Sequence, residues 1–226
     1  MNMKQKYFQK NIIGADETGV GDYLTPLVAS AVFVPASNVK KLEAIGITDS
    51  KKFTDDEIVK LFEIIKPMIK SSVRKMSQKQ YNFLNKKYNA NELKMYLHMQ
   101  AIKSVEERVD ADLIILDAFS NESSLDKYRS RLDKEEKELS DWKGKTKYVT
   151  KGEMEHVSVA AASIVARAYF IKMMETQNNE WGMKFPLGTN PIVEAFAKDF
   201  VIKHGEDNLY NVAKLSFKTT KKILDQ

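Results

Sequence analysis

The chain has 226 residues, is 43% hydrophobic and carries a formal net charge of +5. That length fits one large domain or two small ones, and that apolar share can build a core, which argues against a disordered chain. With no cysteine and only three histidines, a disulfide framework and a thiolate zinc site are excluded.

A metal in this chain must take oxygen or imidazole ligands, which points to Mg²⁺ or Mn²⁺ rather than structural zinc. The first ten residues are polar and basic and lack the apolar stretch of a signal peptide. No apolar run reads as long enough to span a membrane. The expectation is a cytoplasmic protein with no membrane partner and no obligate protein partner. The positive excess suits a polyanion. It is spread over doublets such as Lys40-Lys41, Lys51-Lys52, Lys86-Lys87 and Lys221-Lys222, each of which reads equally well as solvated surface.

In chain order, the apolar run 11–15 predicts a first strand that ends at Asp16-Glu17. A Gly19-Val20-Gly21 turn follows. Residues 28–36 predict a second buried strand, paired with the first as a hairpin. Residues 48–52, Thr-Asp-Ser-Lys-Lys, predict a loop. Thr54 and Glu57 then form a capping box, and Ile58, Leu61, Phe62 and Ile65 supply a helical stripe that Pro67 ends or kinks. Residues 71–77 suggest a strand. Asn91 is placed as the cap of a helix running to about Arg108, with Leu93, Leu97, Ala101 and Val105 inward.

Residues 112–117 read as a buried strand ending at Asp117. The charged stretch 121–147 predicts an exposed helix or excursion. Residues 148–150 predict a short strand that leads into Glu153. A long helix is expected over 157–177, and its small start at 160–163 lets it lie close to a neighbour. Asn190-Pro191 opens a further helix and His204-Gly205 closes it. No internal repeat or linker appears. The whole chain, 1–226, is therefore read as one α/β domain with a central mixed sheet, a polar tail at 1–10 and a helical C-terminal segment at 190–226.

The chemistry is carried by carboxylates. Ionised Asp and Glu at the mouth of a buried strand are costly unless they are paired or hold a cation. Asp16, Glu17, Asp117 and Glu153 are far apart in sequence, so only a fold gathers them. Several hard oxygen ligands suit two divalent ions about 3.5–4 Å apart, the arrangement that hydrolyses phosphodiesters. Neighbouring residues on a regular strand point to opposite faces. Asp16 and Glu17 are thus expected to share a site only if the strand ends or bulges there. Taken alone, Asp117 reads equally as a turn residue, and Glu153 reads more readily as solvated surface.

Residues 14–23, Gly-Ala-Asp-Glu-Thr-Gly-Val-Gly-Asp-Tyr, resemble the opening motif of the type 2 ribonucleases H. Asp49-Ser50-Lys51-Lys52, Leu116-Asp117-Ala118-Phe119 and Lys151-Gly152-Glu153 with the helix around Val159–Arg167 resemble that family's later motifs, in family order. Within the group the resemblance leans to ribonuclease HIII. The fourth acidic residue is Glu153, where the HII pattern has Asp. The turn is Gly19-Val20-Gly21 rather than Gly-Arg-Gly, and Ile171 stands where that pattern has a further Asp.

The resemblance implies a ribonuclease H-like fold and an endonuclease for the RNA strand of an RNA–DNA hybrid. An activated water would attack the phosphate and leave a 5′-phosphate and a 3′-hydroxyl. It also implies two Mg²⁺ or Mn²⁺ ions on Asp16, Glu17, Asp117 and Glu153. Backbone groups of Gly19, Val20 and Gly21 would read the 2′-hydroxyl. Lys51 would contact phosphate, and Ser50 would hold the loop or touch phosphate. His156 is an auxiliary candidate that reads equally as a cap or surface histidine. His98 and Ser163 read as structural, and Trp142, Trp181 and Phe185 as packing residues. Ribonuclease HIII usually carries an N-terminal substrate-binding domain. Only about a dozen residues precede the first strand here, so weaker hybrid binding is expected. The alternative activity is HII-like incision at single ribonucleotides embedded in DNA.

Overall fold

The computed structural model of the chain describes residues 7, 10–47, 50–136, 139 and 145–224. Its strands are β1 (Ile12–Thr18), β2 (Leu27–Val34), β3 (Lys70–Met76), β4 (Leu113–Asp117) and β5 (Thr146–Val149). Its helices are α1 (Ala36–Ile45), α2 (Asp55–Ile65), α3 (Gln78–Leu84), α4 (Ala90–Glu106), α5 (Glu122–Glu135), α6 (Gly152–Glu155), α7 (Val157–Trp181), α8 (Pro191–His204), α9 (Leu209–Val212) and α10 (Lys218–Leu224).

The strands form one sheet in the order β3-β2-β1-β4-β5. β1 pairs antiparallel with β2, from Ile12 opposite Val34 to Thr18 opposite Val28. β2 pairs antiparallel with β3. β1 and β4, and β4 and β5, pair in parallel. The expected hairpin and mixed sheet are both present.

Strand alternation sorts the sheet into two faces. Ile13, Ala15, Ala29, Ala31, Phe33, Ile114 and Leu116 pack with α4 in one core cluster. Val32 and Val34 pack with the α7 residues Ala160 to Val165 on the other face. Gly14 explains how close α7 comes. A Cβ there would lie 2.3 Å from the Ser158 carbonyl carbon and the Val159 nitrogen. The small residues Ala160, Ala161 and Ala162 are fully buried at the same contact. α7 is long and apolar enough to cross a membrane by length and composition, contrary to the sequence expectation, but most of it is buried in the fold.

The cap expected at Asn91 belongs to Asn89. The Asn89 carboxamide accepts from the Asn91 and Glu92 N–H groups, and Glu92 closes the box back onto Asn89. The Thr54–Glu57 box is formed as expected. Pro67 falls in a 3-10 turn that prolongs α2 by three residues. Most of the polar 1–10 tail, Thr48-Asp49 and Trp142 lie outside the described residues. Tyr7, within that tail, is buried, and its hydroxyl donates to Glu155.

The C-terminal helices close over the β1–β2 connection. Tyr23 and Leu24 pack with Phe170, Phe200, Leu209 and Val212. The Tyr23 N–H donates to the Gly188 carbonyl at 3.0 Å, and the Lys214 N–H donates to the Tyr23 carbonyl at 2.9 Å. Trp181 and Phe185 are packing residues here, with rings 5.0 and 5.7 Å from that of Phe200.

Candidate active site

The parallel ladder between β1 and β4 stops at Ala15 opposite Leu116. Asp16 and Asp117 are the next residue on each strand. Two adjacent parallel strands thus offer a carboxylate each just where their pairing ends, the region where open α/β sheets tend to place sites.

β1 itself does not end there. It continues to Thr18 in regular register with β2, so Asp16 and Glu17 lie inside the strand, without a bulge. The expectation of a strand end or bulge is corrected by this pairing. The two carboxylates do point to opposite faces, as alternation demands. Ser30, opposite Asp16, donates to the Ala162 carbonyl of α7 at 2.7 Å, which marks the α7 side. Glu17 turns to α4, where its Oε2 lies 2.8 Å from Nε2 of the fully buried His98. Both still line one cleft, because that cleft wraps the end of the sheet.

The cleft is about 710 Å³ and is lined by Asp16, Glu17, Asp117 and Glu153 together with Gly19, Val20, Gly21, Ser50 and Lys51. These are the nine residues assigned from sequence to metal and substrate. A second hollow, of about 880 Å³, runs along α5 between surface residues of both signs such as Arg131 and Glu135. It lacks the strand-end carboxylates.

The carboxylates sense one another. Burial, then the charges of Glu17 and Asp117, push the Asp16 carboxyl well above the usual aspartate range. The Ser163 hydroxyl and the Glu17 N–H act in the opposite direction. Burial is also the main cause of the raised Asp117 pKa. The Gly152 N–H opposes it, Glu153 and Glu17 add to it, and Lys51 opposes it. A bound cation would relieve this excess of negative charge. The donor set is all oxygen, which suits a hard divalent ion. Among the described residues, no three His, Asp or Glu groups are drawn together tightly enough to form a cage by themselves. An open site of this kind leaves positions for water and substrate.

Local structure presents each group. Lys151 is a non-glycine residue in left-handed backbone, with φ of 58°, at the entry to α6. The turn aims the Gly152 N–H at Asp117 Oδ1, 2.7 Å away, and places Glu153 on the first turn of α6. Ser163 of α7 donates to the Ser50 hydroxyl at 2.7 Å, so Ser50 anchors the loop that carries exposed Lys51, whose described part, Ser50–Lys52, is one turn of 3-10 helix rather than the open loop expected.

His156 is not among the residues that line the cleft. Its Nδ1 accepts from the Ser158 N–H at 3.1 Å and caps α7. Burial lowers its pKa to about 4, so the ring is neutral at pH 7.

Sequence reading missed several groups. His98 supports Glu17, and its ring stacks at 5.8 Å on Phe119, with the Lys94 ammonium 4.1 Å from the same ring. Arg167, Lys151, Thr150 and Leu187 also line the cleft.

A family model described as Ribonuclease HII matches residues 13–220. The chain belongs to the ribonuclease HII family. It is an enzyme, a metal-dependent ribonuclease H. Among curated relatives, ribonuclease HIII of Enterococcus faecalis is 35% identical over 215 residues, covering 94% of this chain and 68% of the relative. Ribonuclease HIII of Staphylococcus aureus is 35% identical over 222 residues, with coverage of 96% and 68%. These relatives bear out the lean towards ribonuclease HIII. Among solved structures, a point mutant of Bst-RNase HIII superposes with a TM-score of 0.86 at 31% identity, covering 99% of this chain and 72% of that one. Bst-RNase HIII in complex with Mn²⁺ gives 0.85 at 30% identity, with the same coverage. Ribonuclease H2 from Pyrococcus horikoshii, at 22% identity and TM-score 0.76 over 95% of this chain and 97% of that one, shows the shared fold.

Proposed function

We propose that this ribonuclease hydrolyses the RNA strand of RNA–DNA hybrids with two divalent ions, leaving a 5′-phosphate and a 3′-hydroxyl. The observation that carries the reading is the gathering of four carboxylates, from β1, β4 and α6, in one cleft walled by a glycine turn and a lysine loop.

Asp16, Glu17, Asp117 and Glu153 would hold Mg²⁺ or Mn²⁺. When bound, such ions supply neutralisation of charge on the phosphate and water of lowered pKa. The chain's own groups do the rest. The His98 contact fixes the Glu17 carboxylate, and the Gly152 N–H fixes that of Asp117. Lys51, on the loop anchored by Ser50, faces a substrate phosphate. The Gly19–Val20–Gly21 main chain lies against the strand to be cut, where a 2′-hydroxyl distinguishes RNA from DNA.

The test is cleavage of end-labelled duplexes with Mg²⁺ or Mn²⁺, one with a full RNA strand and one with a single ribonucleotide in DNA. Cutting confined to the full RNA strand, with 5′-phosphate products, is the expected result. Efficient incision at the single ribonucleotide would favour the HII-like alternative, and no cleavage of either duplex would overturn the reading.

A further inference from the structure

Lys214 is 1% exposed, yet no carboxylate pairs with it among the described residues. Burying an ammonium without an anion is expensive. Asp22 supplies an attractive charge nearby, but its Oδ1 already accepts the Gly188 N–H at 2.6 Å. The Lys214 ammonium sits 5.8 Å from the Tyr81 ring centroid and 5.5 Å from that of Phe217, and it donates to the carbonyl of Gly19. The Thr25 hydroxyl donates to the same oxygen at 3.3 Å.

Gly19 is the first residue of the glycine turn. Its φ is +83°, and a Cβ there would lie 2.1 Å from the Pro26 carbonyl oxygen, so the backbone has little room to be anything else. The Gly19 carbonyl and the Val20 N–H belong to one planar trans peptide, and therefore point in opposite directions. Pulling the carbonyl into the core aims the N–H outward. Val20 is among the residues that line the cleft, and its side chain packs against the core cluster beneath the turn.

We propose that Lys214 is a positioning residue for substrate: by holding the Gly19 carbonyl from behind, it aims the Val20 N–H at an oxygen of the nucleic-acid strand. The inference rests on the assignment of Gly19–Gly21 as a substrate surface. It gives a reason for a buried cation that stability alone does not. Burial lowers the Lys214 pKa to about 7, and the nitrogen can donate to the Gly19 carbonyl as ammonium or as neutral amine.

Lys214→Met tests it, because methionine fills similar volume without a charge or a donor. Steady-state cleavage of a full-RNA hybrid and thermal melting are measured together. The expected result is a KM raised roughly ten-fold, the worth of one well-aimed hydrogen bond, with kcat within about three-fold. The melting temperature should be unchanged or higher. Lys214→Gln, which keeps a donor, should restore part of the KM. An unchanged KM overturns the inference. So does a variant that melts early or fails to fold, since the ammonium would then be serving the fold. Gly21→Val separates this from the underlying assignment, because a Cβ at Gly21 meets nothing within 4 Å. If Gly21→Val raises KM and Lys214→Met does not, only the Lys214 role fails. If neither changes KM, the turn is not a substrate surface.

Discussion

Asp16 shows how a single residue sets stability against function. Its carboxyl is raised mainly by burial and then by two neighbouring carboxylates, so its ionised form strains the metal-free fold. The sign follows from proton binding. A carboxyl with a folded pKa above its unfolded value binds a proton more tightly when folded. It therefore contributes stability below the unfolded pKa, and that contribution is lost as pH rises through the folded pKa. Asp16→Asn keeps the shape and removes the charge. Cleavage should fall by about 10³-fold or more, the scale of several kcal/mol of lost charge stabilisation. The metal-free variant should melt no lower than the parent at neutral pH, and its melting temperature should depend less on pH above the usual aspartate range. Near-normal cleavage would show that Asp16 holds no metal. Asp16 and Asp117 were legible in the sequence because each follows an apolar run and the motifs around them occur in family order, although Asp117 alone read equally as a turn residue. His98 and Lys214 were not, because their partners lie 81 and 195 residues away and only the fold brings them together.

At the scale of elements, local signals placed most helices and long-range pairing decided the rest. The Asn89–Glu92 spacing is that of a capping box, so the true start of α4 was readable, although Asn91 competed for it. The extent of β1 was not readable. The strand persists through Asp16 and Glu17 because β2 keeps pairing with it after β4 has stopped. That asymmetry exposes the carboxylates on one side while the backbone stays rigid on the other. The close seat of α7 on β1 is the second requirement, since Ser163 reaches both Ser50 and Asp16 from there. Gly14→Ala tests it. The added methyl would meet the backbone of α7 at 2.3 Å, which cannot rotate away as a side chain could. Overpacking of this kind costs roughly 1–3 kcal/mol or more. For a chain of this size that corresponds to a drop of about 2–12 °C in melting temperature. A melting temperature within about 1 °C of the parent would show that α7 is free to shift.

For the whole molecule, the question is where a net charge of +5 acts on a polyanion. The value is modest, and Lys and Arg are spread along the chain, so total charge says little about the binding path. The cleft is more informative. Lys51, Lys151 and Arg167 line it beside the carboxylates, although Arg167 also pairs with Asp55 at 3.0 Å. On the proposed reading, the flanks of this acidic centre would hold the phosphates of a duplex and divalent ions would neutralise its middle. Each phosphate contact releases counterions, so log affinity falls with log salt by about 0.9 per contact on a B-form duplex. A phosphate contact carries no sequence information. Lys51→Ala should therefore weaken binding of every hybrid sequence alike and reduce the salt slope by about 1, as measured by titrating labelled hybrid with Asp16→Asn protein in Ca²⁺. The Ser50–Ser163 hydrogen bond, which Lys51→Ala leaves in place, anchors this turn, so the variant should stay folded at the assay temperature. An unchanged slope with weakened binding would mean that Lys51 acts on the carboxylates, whose charge it offsets at Asp117, and not on the phosphate backbone.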